Sequence, residues 1–78
     1  MTATEPNLRK IVRLTARDGA AAAMREALID LQRDTVTEPG CVEFEFLQSL
    51  TRADAFVLIE DFASAAALAT HMEAPHTK

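Results

Sequence analysis

Apolar and polar positions divide this chain into five segments. Residues Leu8 to Ala16 carry Ile11, Val12 and Leu14, and the Leu14-Thr15 pair favours extended backbone, which predicts a first strand. Asp18-Gly19 closes it, with Asp18 placed to cap the helix that follows. From Ala20 to about Thr35 the period changes. Met24, Ala27, Leu28 and Leu31 recur at helical spacing, and the alanine run Ala20 to Ala23 favours the same state. Arg25, Glu26, Asp30, Arg33 and Asp34 fall largely outside that stripe. Glu38-Pro39-Gly40 stops the helix, because proline cannot continue it and glycine tolerates the turn.

Alternation returns from Cys41 to Ser49. Val42, Phe44 and Phe46 fall on one face of this second strand, and Glu43, Glu45 and Leu47 on the other. Thr51-Arg52-Ala53-Asp54 is polar enough for a hairpin connection. Ala55 to Phe62 then forms a third strand, apolar on both faces through Phe56, Val57, Leu58 and Ile59. Residues 63 to 73 read as a second helix capped by Ser64, with Ala67, Leu68, His71 and Met72 on one face. Pro75 ends it.

The order strand, helix, strand, strand, helix is that of an α+β, ferredoxin-like split βαβ subunit with an antiparallel sheet, lacking its last strand. Helices cover one sheet face in such a unit. The third strand has no polar face, so a second copy is expected to cover the other, making a homodimer through the sheet. Size strengthens this expectation: 78 residues make one domain that buries only about 60–65% of its extended surface.

Charge and cysteine use narrow the partners. The net charge is −4 and the basic residues are scattered, which argues against nucleic acid. Cys41 is the single cysteine, so no intrachain disulfide forms, which suits a reducing cytoplasm. No apolar run reaches transmembrane length, so no membrane partner is expected. The start, Met1 to Pro6, does not read as a secretory signal. Residues 1–7 are expected to be a flexible tail and residues 8–78 the domain.

Candidate chemistry gathers in the second half. His71 and His76 are the best proton-transfer pair, since histidine exchanges protons near neutrality. His71 lies on the Leu68 and Met72 side of its helix and is expected to face a pocket. The structural alternative is a helix histidine satisfied by a backbone or carboxylate hydrogen bond. Glu60 closes an apolar strand, where a carboxylate needs a partner; it is placed either to orient His71 or to pair with a first-strand arginine. Glu45, opposite in face to Phe44 and Phe46, reads as a pocket carboxylate or an intersubunit partner of Arg9 or Arg13. The four phenylalanines, Phe44, Phe46, Phe56 and Phe62, fit a core better than a stacking surface. The His71–His76 spacing across Pro75 is not a ligand motif, even with Glu60 as a third donor, so no metal is expected. With Gly19 and Gly40 the only glycines, no phosphate loop exists, and no cofactor is expected. Cys41 has no basic neighbour in sequence and reads as inert.

The ordered motifs Arg13-Leu14-Thr15-Ala16-x-x-Gly19, Glu38-Pro39-Gly40-Cys41, Phe44 to Ser49, Phe56 to Phe62, and Ala67-Leu68-Ala69-x-His71-Met72-x-x-Pro75-His76 carry a resemblance. Together the chain resembles the antibiotic biosynthesis monooxygenase (ABM) family of dimeric α/β barrels, particularly its quinol-monooxygenase-like branch, over nearly all of residues 8–78. The resemblance implies a homodimer of ferredoxin-like subunits. It also implies oxidation of a quinol or a polyphenolic or polyketide aromatic by molecular oxygen, often with no flavin or metal. The alternatives it carries are a non-catalytic dimeric binding or stress-response module and a small-carbonyl isomerase. On this reading His71, His76 and Glu60 are the catalytic residues, and Phe44, Glu45, Phe62, Leu68 and Met72 border the small aromatic substrate. Two departures stand out. The family commonly has tryptophan where this chain has Phe62, and it continues beyond His76 with a closing helix and strand. The haem-degrading branch uses an asparagine and a tryptophan where this chain resembles it with Val12 and His71, which disfavours haem degradation.

Overall fold

The structure, a computed structural model, describes residues 7–77. The expected tail falls almost wholly outside the described residues. The elements run β1 (Leu8–Thr15), α1 (Ala21–Thr35), β2 (Cys41–Gln48), β3 (Ala55–Phe62) and α2 (Ala65–Glu73). This is the ferredoxin-like βαββα unit read from the pattern. The three strands lie in the order β1-β3-β2, and both outer strands pair antiparallel with β3. The doubly apolar strand is therefore the central one. Its even-numbered residues Phe56, Leu58, Glu60 and Phe62 are buried beneath the helices, and Val57 and Ile59 are half-buried on the opposite face.

The core forms between sheet and helices from Ala16, Leu28, Phe44, Phe56, Leu58 and Phe62, with Met24, Leu31, Ala67 and Leu68 packed against it. Helix α1 delivers Leu28 to this core and is tied to β2 by Gln32, whose side-chain amide donates to the Phe44 carbonyl at 3.0 Å. Ala27, expected in the same stripe, is exposed. Ala20 stands at the N-cap of α1 and no side chain caps the helix, so Asp18 does not fill the capping role expected of it. Gly19 adopts φ 77°, a left-handed conformation suited to glycine. Helix α2 is capped as expected, the Ser64 hydroxyl accepting from the Ala67 amide at 3.1 Å.

Strand β2 departs from simple alternation. Cys41 pairs with Phe62 and Glu43 with the next residue, Asp61, so Val42 is an extra, bulged residue. Val42 is consequently exposed and leaves the face of Phe44 and Phe46 to which alternation assigns it. The insertion turns Cys41 and Phe44 to the same helix-facing side. On the open face, Arg9 bridges Glu43 at 3.4 Å and Asp61 at 3.6 Å. Ile11 and Leu47 lie exposed beside Val57 and Ile59 on that face.

Candidate functional site

The site is built where the α1–β2 turn meets α2. After Thr35 the chain closes a tight turn in which the Glu38 amide donates to the Thr35 carbonyl and the Cys41 amide to the Glu38 carbonyl, both at 3.0 Å. Gly40 then accepts from the Ala63 amide at 2.8 Å, which holds the turn against the start of α2. A side chain at Gly40 would overlap Ala67, so only glycine lets the helix come this close. One turn further along α2 the same helix face carries His71 over Glu38. Ala74 ends α2, and the turn after Pro75, closed by the Thr77 amide donating to the Ala74 carbonyl at 3.0 Å, folds His76 back over the same point.

Both imidazoles converge on one oxygen. His71 Nδ1 lies 2.9 Å and His76 Nε2 2.5 Å from Glu38 Oε2. Thr77 Oγ1 is 3.3 Å from His71 Nδ1. An ionised carboxylate only accepts, so the ring nitrogens facing it carry the protons. Burial alone would push the Glu38 carboxyl up. Hydrogen bonds from His71 and His76, reinforced by imidazole charge, outweigh it and hold the carboxyl below its ordinary value. Glu38 Oε1, the second oxygen, is buried and without a hydrogen-bond partner.

The His71 ring is only 3% exposed. It packs 4.8 Å from the Phe62 ring and 5.7 Å from the Phe44 ring, centroid to centroid. Its other nitrogen, Nε2, faces the buried Glu60 with 3.8 Å between Nε2 and Oε1, too long for a hydrogen bond but close for an ion pair. The structure thus brings together His71, His76, Glu60, Phe44 and Phe62 from the sequence-predicted set. Leu68 packs against the same core. Glu45 does not join them: it pairs with Ile59 on the open sheet face, away from the helices. Met72 also falls outside, half-exposed, because one residue along a helix turns the side chain about 100° away from His71. The pocket that His71 was expected to border is filled by phenylalanine rings. The open depression of about 510 Å³ is instead lined by Ala69, Thr70, Glu73 and Ala74, on the outside of α2.

Sequence reasoning missed Glu38, which holds the cluster together. Its signal was a carboxylate in a turn that must adjoin α2: β2 begins beside the end of β3, and α2 starts three residues later. Cys41 also lies near. Burial raises its thiol pKa, and the charges of Glu38, Glu60 and Asp61 raise it further, so the thiol stays protonated at neutral pH.

A three-stranded antiparallel sheet under two helices, with a half-buried carboxylate joining one buried and one half-buried imidazole at one end, defines a small ferredoxin-like α+β domain with a histidine–carboxylate centre. Residues 8–78 match the family described as antibiotic biosynthesis monooxygenase (ABM), and the chain belongs to that family. Its backbone superposes on PA3566 from Pseudomonas aeruginosa with a TM-score of 0.92 at 28% identity, covering 97% of this chain and 77% of that one. Rv0793 from Mycobacterium tuberculosis matches with a TM-score of 0.84 at 30% identity, over 91% of this chain and 71% of that one. A solved antibiotic biosynthesis monooxygenase shares the fold, with a TM-score of 0.83 at 23% identity over 88% of this chain and 73% of its own. No curated protein matches the chain.

Proposed function

We propose that this chain is a cofactor-independent monooxygenase that oxidises a quinol or related polyphenolic or polyketide aromatic with molecular oxygen. The observation that supports this reading is the convergence of His71 and His76 on Glu38 Oε2. With Nδ1–H donated to ionised Glu38, His71 keeps its lone pair on Nε2. That tautomer takes a phenolic proton, and Glu38 stabilises the imidazolium that results. The quinolate is the stronger electron donor, and it reacts with oxygen to give a ring hydroperoxide that loses water. One oxygen atom ends as a new hydroxyl on the quinone product and the other leaves in the water. Phe44 and Phe62 pack their rings beside His71, on the route by which a phenol approaches Nε2 and Glu60.

A second reading, the non-catalytic dimeric module, is favoured by one observation: His71 is enclosed and hydrogen-bonded in the manner of a structural histidine. The isomerase reading is weakened by Glu38 and Glu60, which repel an anionic substrate. Oxygen uptake with a panel of hydroquinones separates the first two. The monooxygenase reading expects turnover, and a fall in kcat of about 10²-fold or more for His71→Gln in a variant that keeps its circular dichroism spectrum. A silent panel from well-folded protein sinks it and leaves the binding module.

A further inference from the structure

We propose that Glu38, His71 and His76 form a binding site for a divalent transition-metal ion of the zinc, cobalt or nickel class. Ion occupancy and the proton-transfer role are alternative states of one cluster, so this site does not depend on that role. Among the described residues, one ligand atom from each of the three lies within 4.8 Å of the others. Their spacing in the sequence is not a motif; the fold brings them together by setting the α1–β2 turn against both ends of the α2 segment.

Three features point to an ion. The donor set, two imidazole nitrogens and a carboxylate oxygen, suits zinc, cobalt and nickel and not calcium or magnesium, which prefer all-oxygen shells. Ligand atoms around a tetrahedral ion sit about 3.4 Å apart. The present contacts of 2.9 Å and 2.5 Å require Glu38 Oε2 to withdraw by less than about 1 Å, and the two imidazole nitrogens, within 4.8 Å of each other, to draw together to the same spacing, with the ion replacing the two bridging protons. The second feature is Glu38 Oε1, buried and without a partner, which offers the carboxylate a second coordinating oxygen. The third is Glu60. A histidine bound to metal through Nδ1 carries its remaining proton on Nε2 and donates it to an outer carboxylate. His71 Nε2 already faces Glu60 Oε1 at 3.8 Å. Glu38 and Glu60 supply negative charge for the cation, and His76, with 21% of its side chain exposed, supplies the entry edge. With three protein ligands, a fourth position stays open for water or a small anion.

The test titrates the EDTA-stripped full chain with Co²⁺, followed by visible absorption, and with Zn²⁺ by calorimetry. One ion per chain is expected, with Co²⁺ displaced by Zn²⁺ and unaffected by excess Mg²⁺. His76→Gln, at the exposed edge where folding is least at risk, is expected to weaken binding by more than about tenfold. Glu38→Gln is expected to do the same, and Cys41→Ser to leave it unchanged. No uptake at one equivalent overturns the site. So does binding that survives both His76→Gln and Glu38→Gln, or that disappears with Cys41→Ser.

Discussion

Glu38 sets the character of the site. It accepts two imidazole hydrogen bonds on one oxygen, and hydrogen bonds to a charged group contribute about 1.5–3 kcal/mol each. Its carboxyl lies below the ordinary value of 4.5 in the fold. A depressed carboxyl stabilises the native state above its unfolded value, and that contribution is lost as pH falls through the lower folded one. Glu38→Gln is therefore expected to cost about 2 kcal/mol near neutral pH in metal-free protein. The gap to the native chain should close as pH falls below about 4.5. Urea melts of both proteins across this range check it, and a gap that does not change with pH refutes the charge argument. The sequence made His71, His76 and Glu60 legible, because histidine in an apolar helix and a carboxylate ending an apolar strand are conspicuous. Glu38 was not, because Glu38-Pro39-Gly40 reads fully as a helix stop. Its side-chain role comes from contacts 33 and 38 residues away, which no local pattern contains.

At the scale of elements, strand and helix identities followed from periodicity, and every expected element is present within a residue or two. What periodicity could not see were the places where the chain breaks its own period. Val42 is the clearest case, since a bulge adds one residue to β2 and leaves Cys41 and Phe44 on one face. The bulge lies just beyond Gly40, at the point where α2 makes its closest approach. Adding a methyl group at Gly40 sets it against the Ala67 side chain on a helix that cannot simply rotate away. Gly40→Ala is expected to destabilise the fold by about 1–3 kcal/mol through overpacking. The double variant Gly40→Ala with Ala67→Gly removes the clash. It should recover part of the loss, less the roughly 1 kcal/mol that glycine costs inside a helix. Thermal melts of the two variants measure this, and a Gly40→Ala chain as stable as the native one would mean α2 is not seated by this contact.

The whole molecule has one covered sheet face and one that is not. On the uncovered face, Ile11 is 66% exposed and Leu47 45%, flanking Val57 and Ile59 on the central strand. Four adjacent aliphatic side chains form the kind of apolar patch that small soluble domains cover with a partner. The Arg9 bridges to Glu43 and Asp61 sit at one end of this patch and give it a polar rim. Arg13 and Glu45 lie on the same face, so two copies packed sheet to sheet set charges of both signs near the apolar centre. We propose that a second copy of the chain covers this face, which gives Glu45 an intersubunit role and not a place beside His71. Ile11→Lys tests it with little risk to the subunit, because exposed substitutions usually change stability by no more than about 0.5 kcal/mol. In a dimer the same change places two lysines in the joint, beside Arg9 and Arg13 of both copies. Sedimentation at micromolar concentration is expected to give a dimer for the native chain and a monomer of unchanged circular dichroism for Ile11→Lys. A native chain that sediments as a monomer removes the proposal.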